Sequence, residues 1–323
     1  MTTPTRLSYG VLALTIMLAG FLHLAAPLLA MFFSYFALRQ LYFLTKRKWL
    51  ALALFVVLVT GIAAGAAYFT RAAIQALPDV ADTSIPSANV WAQKRQIELP
   101  FTDFESLKEV VIDTLKQEAH YLGNVANFAR AVTVVLVLTL IAIVAAASLF
   151  YKTGLDPQRS THPVKNNLYS ICCDEVSTRF RDFYRSFATV MGAQITISLI
   201  NTILTALFVV IVRLPHAPLV IAITFLCGLV PIVGNLVSNT IIVFLALTIS
   251  LKLAIAALVF LIVIHKLEYL LNSKIIGDRI RNPVWLTLIA LIIGERLIGI
   301  PGLILAPVVL NYLRVEMLKI EVP

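Results

Sequence analysis

The sequence predicts an all-α, polytopic membrane protein with about eight membrane segments, two or three of them short hairpins or broken helices. Sixty per cent of its 323 residues are apolar and only 13% are charged, whereas a soluble chain of this size has roughly a quarter of its residues charged. The mean hydropathy is +0.91. Uncharged runs of the about 20 residues that a membrane helix needs recur along the chain. Much of this apolar surface must therefore face lipid.

The net charge of +9 indicates orientation in a membrane and not a nucleic-acid partner. Lys and Arg gather in the short cytoplasmic loops of membrane proteins, and no basic stripe with interleaved aromatic residues occurs here. Cys172 and Cys173 are adjacent and Cys227 lies in an apolar run, so none has the spacing of a metal site. We expect no cofactor, no metal and no disulfide framework.

The first apolar run covers residues 8–43, nearly twice the length of one span. Pro27 lies near its middle, and proline breaks a helix interior, so this run predicts a hairpin of two helices. The basic residues 46–48 then form a cytoplasmic loop. Two passes before that loop put the N-terminus in the cytoplasm as well, which the early Arg6 supports.

The following segments lead out of the membrane. Residues 49–69 form an outward span whose far half is rich in Gly and Ala, and such small residues let membrane helices pack closely. The polar residues 71–130 lie outside. Pro, Asp and Ser over residues 78–87 indicate a loop there, and the capping pair Thr102 and Glu105 begins a long helix that projects from the membrane.

Residues 131–151 form the span that returns to the cytoplasm, and residues 152–191 follow it as a net basic cytoplasmic segment. From residue 168 onward, Arg and Asp lie on one helix face and aromatic residues on the other. That pattern is typical of an amphipathic helix in the membrane interface. The aromatic residues are Phe180, Phe183, Tyr184 and Phe187.

The C-terminal membrane core begins with a span over residues 192–212, a doubled uncharged run over residues 218–251 and a span over residues 253–271. Two glycines and a proline interrupt the doubled run, so it predicts a second hairpin. The last apolar region, residues 284–313, is either one span or a hairpin. The chain thus divides into N-terminal membrane segments (1–70), an extramembrane helical region (71–130), a span (131–151), a cytoplasmic or interfacial segment (152–191) and the C-terminal membrane transport core (192–323).

Two breaks in the apolar segments carry the residues that we expect to line a solute path, and we expect the two breaks to meet at a polar cavity. Unwound membrane helices free carbonyl and amide groups that can coordinate a solute, and such backbone is tolerated only inside protein or along water. The alternative is that each break is a hairpin turn with capped ends. Gln194 and Asn201 lie within the span over residues 192–212 and either line the path or hydrogen-bond between helices. The path candidates in the two breaks are Pro231, Gly234, Asn235, Asn239, Gly299, Pro301 and Gly302.

Four ionisable residues are candidates for proton or ion coupling: His265, Glu268, Asp278 and Glu295. His265 and Glu268 are three residues apart on a helix and can relay a proton, or they are charges at a helix end that reach interfacial water. Glu295 is a functional candidate if it lies inside the membrane. At the tip of a hairpin it is an ordinary interfacial charge, and both alternatives stay open.

Four motifs follow one another from Gly192 onward. They are Gly192-Ala193-Gln194, the run GLVPIVG at residues 228–234, Ile276-Gly277-Asp278-Arg279 with Pro283, and the run LIGIPGLILAP at residues 297–307. This order resembles the autoinducer-2 exporter family, also called the PerM-like permeases. The resemblance implies seven or eight membrane helices, an inner-membrane location and homo-oligomers. It also implies transport of a signalling molecule or, in other members, sodium–proton exchange.

These features favour a transporter. No nucleotide-binding loop, nucleophile elbow or His-Glu-x-x-His motif occurs, so we expect no enzyme, and transport would be passive or gradient-driven. Our hypothesis is a permease for a small solute, with a monovalent cation–proton antiporter and a non-transporting membrane scaffold as alternatives. We expect the bacterial inner (plasma) membrane as location, and the lipid bilayer, a small solute or ion and further copies of this chain as partners.

Cysteine labelling tests the predicted orientation, in which residues 46–48 and 152–185 lie inside and residues 71–130 outside. Ser87→Cys should react with an impermeant maleimide added to intact cells, and Ser160→Cys only after the cells are opened. The reason is the basic excess of the two inner segments. Labelling of the Ser160→Cys variant from outside would contradict the predicted orientation.

Overall fold

The computed structural model describes residues 3–22, 24–93, 105–106, 108–109, 125–151, 156, 164, 167–231, 233–271 and 283–321. The helices longer than one turn in these residues are α1 (Thr3–Phe21), α2 (Ala25–Thr45), α3 (Lys48–Gln93), α4 (Val125–Tyr151), α5 (Leu168–Ile211), α6 (Ala217–Gly228), α7 (Val233–Ile249), α8 (Leu251–Leu271), α9 (Val284–Ile298) and α10 (Ile300–Met317). No strand occurs in this part of the chain, and the all-α prediction is confirmed.

Six of the helices are long and apolar enough to cross a membrane, namely α1 to α5 and α10. Helices α6 and α7 are apolar but have only 12 and 17 residues, which is shorter than the about 20 residues that span the hydrocarbon. The described chain is therefore that of a polytopic membrane protein in which a pair of short helices follows the span of α5.

The N-terminal hairpin is confirmed. Helix α1 ends at Phe21 and α2 begins at Ala25. Pro27 is the third residue of α2, and a proline is tolerated there because the first N–H groups of a helix have no partner within the helix. The proline therefore helps to start the second helix and does not interrupt it.

The loop predicted at residues 78–87 is wrong, because α3 continues without a break from Lys48 to Gln93. The prediction gave weight to two prolines, each of which removes a helical hydrogen bond. An existing helix, however, gains one bond for each residue that it adds, and the alanines around Pro78 favour helix. With 46 residues, α3 is about 69 Å long and reaches beyond the hydrocarbon.

The predicted helix from Thr102 lies mostly outside the described residues. The exceptions are two short helical pieces at residues 105–106 and 108–109. There Lys108 Nζ lies 3.1 Å from Glu105 Oε1, an ion pair between side chains three residues apart. This spacing brings side chains together on one helix face.

Helix α5 joins two segments that the sequence predicted to be separate. It runs for 44 residues, so the amphipathic segment and the following span form one helix with no break at Gly192. A glycine inside a helix costs only about 1 kcal/mol. The aromatic face of the amphipathic segment was also assigned wrongly to the membrane interface, because Phe183, Tyr184 and Phe187 are buried against protein.

The chain forms two compact units. Unit 1 contains Met1–Leu58, Val134–Ala193 and Ile275–Pro323, and unit 2 contains Val59–Thr133 and Gln194–Lys274. Each unit therefore combines segments that are far apart in the sequence.

Aromatic side chains of α2 and α5 form the core of unit 1. The ring of Phe187 is fully buried and lies 5.2 Å from the ring of Phe32 and 5.1 Å from that of Phe33. The rings of Tyr35 and Tyr184 meet edge to face at 4.8 Å. Such pairs contribute about 0.5–1.5 kcal/mol each beyond the area that they bury. Packing between helices therefore explains the aromatic stripe that resembled a lipid-facing surface.

A buried ionic cluster links α1, α5 and the end of α10 in unit 1. The carboxylate of Glu316, 4% exposed, accepts hydrogen bonds from Arg179 Nη1 at 2.6 Å, Tyr9 Oη at 2.9 Å and Lys319 Nζ at 2.9 Å. Lys319 also donates to Asp182 at 2.8 Å. Burial lowers the pKa of Lys319, but these hydrogen bonds and the two carboxylate charges outweigh burial, and its pKa is raised. These three helix segments therefore meet at one end of unit 1.

The last apolar region is a hairpin, with α9 and α10 joined at Gly299. Gly299 has φ +66° and ψ −147°, a combination that is essentially restricted to glycine. The two helices cross where Gly294 and Gly302 meet, because a Cβ added at Gly302 would collide with the carbonyl of Gly294. Glu295 lies in the last turn of α9 and is exposed.

Gly302→Ala should destabilise the protein, because the added methyl group would force α9 and α10 apart. Overpacking of this kind costs about 1–3 kcal/mol, which thermal unfolding in detergent detects. Gly10→Ala is the matched control, since an added Cβ there meets nothing within 4 Å and alanine is the better helix former. Equal melting temperatures for the Gly302→Ala variant and the unmodified protein would contradict the close contact.

Candidate functional site

A stripe of polar side chains runs along the part of α5 that belongs to unit 2. Its members are spaced four, three, one and three residues apart, which keeps them on one helix face. All except the first are buried although the neighbouring residues are strongly apolar. The stripe consists of Gln194, Ser198, Asn201, Thr202 and Thr205.

The first two members of this stripe hold the end of the short helix α6. The last carbonyls of a helix have no partner within it. Gln194 Nε2 donates a hydrogen bond to the carbonyl of Gly228 at 2.7 Å, and Ser198 Oγ donates one to the carbonyl of Phe225 at 2.8 Å. Side chains of a neighbouring helix therefore satisfy the end of α6, which the apolar surroundings require.

Two glycines allow the turn between α6 and α7. A Cβ at Gly228 would press on the side chain of Ser198, and a Cβ at Gly234 would collide with the carbonyl of Cys227. Pro231 lies in the turn itself, where its missing N–H leaves no helical hydrogen bond unmade. The break is thus a close approach of backbone to backbone, and the sequence motif GLVPIVG fits that geometry.

A carboxylate lies next to this turn. Asn235 Nδ2, in the first turn of α7, lies 2.7 Å and 2.6 Å from the two carboxylate oxygens of Glu268 on α8. The side chain of Asn201 on α5 also hydrogen-bonds to Glu268. The side chain of Glu268 is 12% exposed, and His265 Nδ1 lies 4.0 Å from its Oε2 on an exposed ring. Three helices therefore converge on one acidic group.

Asn201 leaves an unused acceptor in this group. Its side chain is 5% exposed, and Oδ1 has no hydrogen-bond partner among the described residues. A buried carbonyl oxygen without a partner is costly. Asn201 Oδ1 and the carboxylate of Glu268 are oxygen atoms that can bind a proton, accept a hydrogen bond from a solute or coordinate a cation. No group of three or more His, Cys, Asp or Glu side chains suited to a metal ion occurs in the part of the chain that the structure describes.

The structure brings together several of the residues predicted from the sequence. Gln194, Asn201, Asn235, Glu268 and His265 all belong to the contacts just described. The half-buried Asn239 lies one turn along α7 from Asn235.

The other predicted residues fall elsewhere. Gly299, Pro301 and Gly302 form the turn and first residues of α10. Glu295 is exposed beside that turn, which corresponds to the hairpin-tip alternative. Asp278 lies outside the described residues. The expectation that the two breaks meet at one cavity stays a prediction.

Sequence reasoning missed the hydroxyl groups of the site. Thr202 and Thr224 bond to carbonyls of their own helices, and Ser198 bonds across to α6. The signal was the spacing of Gln194, Ser198, Asn201 and Thr205, which is that of one helix face. The missed residues are Ser198, Thr202, Thr205, Thr224 and Ser238.

This architecture is that of a polytopic α-helical membrane protein with a broken-helix hairpin packed against a buried polar group. The family model described as "AI-2E family transporter" matches residues 9–319. The chain therefore belongs to this family, and the resemblance seen in its motifs is confirmed. It is also similar to the putative transport protein YdbI of Bacillus subtilis (strain 168), with 28% identity over 187 residues. That match covers 57% of this chain and spans about half (51%) of the relative.

Proposed function

We propose that this chain is a membrane transporter that moves a small solute past Asn201, Asn235 and Glu268. The observation that carries this proposal is the partnering of Glu268. Amide groups from two other helices bind it, and no Lys or Arg among the described residues forms an ion pair with it. An ionisable side chain inside the membrane is energetically costly, so its presence there indicates a function. The family supports transport as the general activity.

The site can bind and release a proton or a solute because the groups that donate hydrogen bonds to Glu268 are uncharged. An amide N–H hydrogen-bonds to a carboxylate and also to the carbonyl oxygen of a protonated carboxyl group. The partners of Glu268 therefore remain satisfied when it gains or loses a proton. Next to it, Asn201 Oδ1 is the unused acceptor that an incoming group can occupy.

Cation–proton antiport is a second candidate function, and the same carboxylate favours it. Only one ionisable side chain, His265, lies within ion-pair distance of Glu268 among the described residues, and it is exposed. A proton and a monovalent cation would then compete for Glu268. In both proposals the α6–α7 turn supports the site, since it fixes Asn235.

The location proposed is the bacterial inner membrane, with the N-terminus in the cytoplasm. Contacts within unit 1 support one common side for several basic segments. The start of α3 and the end of α4 are joined by Lys48 Nζ and the carbonyl of Tyr151 at 3.5 Å. The start of α1 contacts Arg179, and Arg39 near the end of α2 lies 5.9 Å from the ring of Tyr184. A side rich in Lys and Arg is the cytoplasmic one.

Replacing Asn235 with Leu should lower transport by about tenfold or more, because a hydrogen bond to a charged group is worth about 1.5–3 kcal/mol and each 1.4 kcal/mol is tenfold. The transport rate is measured as uptake of labelled small solutes and of Na⁺ into proteoliposomes, with and without a pH gradient. Glu268→Gln should remove the effect of the pH gradient. Thr240→Val is the matched control, because Thr240 is exposed on α7 and its hydroxyl donates to the carbonyl of Leu236 in the same helix. Unchanged flux in a folded Asn235→Leu protein would contradict the proposal and would mean that the turn has only a structural role.

The chain is also proposed to form homo-oligomers. Gly61 and Gly65 on α3 are four residues apart, and a Cβ at either would meet nothing within 4 Å. This GxxxG spacing lets two membrane helices approach closely, and neither glycine is used for that within the described chain. Native mass measurement in mild detergent should show more than one subunit, and Gly61→Leu with Gly65→Leu should shift the particle towards monomer. A monomer in every mild detergent would contradict the proposal.

A further inference from the structure

Four cations lie between residues 39 and 48 of unit 1, around the turn that joins α2 to α3. They are Arg39 near the end of α2, Lys46 and Arg47 in the turn between α2 and α3, and Lys48 at the start of α3. All four are exposed. We refer to these residues as the basic corner.

The basic corner lies at the ends of three candidate membrane spans. One span ends at Thr45, one begins at Lys48 and one ends at Tyr151. The third span reaches the corner directly, because Lys48 Nζ lies 3.5 Å from the carbonyl of Tyr151 and the rings of Tyr42 and Phe150 lie 5.8 Å apart. Lys46, Arg47 and Lys48 are therefore at the depth where the headgroups of the bilayer begin, and Arg39 lies nearly two turns before the end of the α2 span.

No carboxylate neutralises the basic corner among the described residues. The sequence contains no Asp or Glu before Asp79, and none of the ion pairs found in the described ranges includes a member of the corner. The other basic cluster of unit 1 is different, because Arg179 and Lys319 are paired with Glu316 at 2.6 Å and 2.9 Å. Unit 1 thus pairs Arg179 and Lys319 with carboxylates, whereas no ion pair of the described residues includes a cation of the corner.

Two of the cations lie close to aromatic rings. Lys46 Nζ lies 4.1 Å from the ring centroid of Phe43, and Lys48 Nζ lies 5.9 Å from that of Tyr151. Trp49 follows them and is exposed. Aromatic residues of this kind are enriched at the membrane–water interface. Lys46 also has φ +56°, a left-handed conformation that is unfavourable for a residue with a Cβ.

We propose that the basic corner binds the phosphate headgroup of an anionic phospholipid. An anionic lipid surface attracts each Lys or Arg near it, and Lys and Arg form strong hydrogen bonds to phosphate. The exposed aromatic rings provide the neighbouring contacts to the acyl region. Carboxylate partners within the protein would have offset this charge, and since none is found among the described residues, the charge of the corner fits a ligand that the membrane supplies.

Native mass spectrometry of the full chain in mild detergent tests this site. The unmodified protein should retain phosphatidylglycerol and not phosphatidylcholine. The triple variant Lys46→Gln, Arg47→Gln, Lys48→Gln should bind phosphatidylglycerol about tenfold or more weakly, since three attractive charges are removed. The control variant Arg181→Gln, Lys252→Gln, Arg296→Gln loses the same charge at exposed positions elsewhere and should bind as the unmodified protein does.

Three outcomes would overturn the proposal: equal lipid binding by the two triple variants, equal binding of both lipids by the unmodified protein, or displacement of phosphatidylglycerol by millimolar inorganic phosphate. The last would mean that the corner takes free phosphate. If the triple variant does not fold, Lys46→Gln with Lys48→Gln is measured instead. The variant Lys48→Arg keeps the charge and should therefore retain phosphatidylglycerol, whichever neutralising variant is measured.

Discussion

The constraint on which unit 2 depends is that hydrocarbon offers no partner for a backbone carbonyl or amide. Helix α6 ends after 12 residues, so its last carbonyls need donors from elsewhere in the protein. Gln194 and Ser198 supply them from α5. The donors must lie close to the carbonyls, which requires glycine at position 228, and the chain must reverse against its own backbone, which requires glycine at position 234. The same reversal sets Asn235 beside Glu268, so the polar site follows from how the break is satisfied.

Two carboxylates of the described residues, those of Glu316 and Glu268, have opposite kinds of hydrogen-bond partner. Glu316 accepts hydrogen bonds from the charged groups of Arg179 and Lys319 and links three helices. Removing one partner of such a buried pair typically costs about 3–5 kcal/mol, so the role of this group is to stabilise unit 1. Glu268 receives its hydrogen bonds from neutral amides. Such partners can bind the carboxyl group with or without a proton, which agrees with the role in transport that we propose for Glu268.

Hydropathy and breakers predicted most of the fold, because length and uncharged composition alone define a membrane span. The N-terminal hairpin, the α6–α7 hairpin and the polar residues Gln194, Asn201, Asn235 and Glu268 could all be predicted in this way. Local signals failed where distant contacts decide. The prolines of α3 indicated a loop, although the helix continues to Gln93. The aromatic face of α5 has the pattern of a lipid-facing surface, and only the position of Phe32 and Phe33 shows that it is core. The pairing of Asn235 with Glu268 joins residues 33 positions apart, and the sequence contains no signal for that pairing.

The ionic cluster also has a consequence for the order in which the protein can assemble during synthesis. Tyr9 and Glu316 are 307 positions apart, and a ribosome adds about 5–20 residues per second. The first helix therefore waits about 15–60 s for its final partner. Unit 1 is complete only when the last helix has been inserted, whereas unit 2 contains no residue after Lys274 and can close earlier. During that interval the bilayer itself covers the apolar sides of α1 and α2, and a newly made chain remains in the membrane as a partly assembled intermediate until α10 arrives.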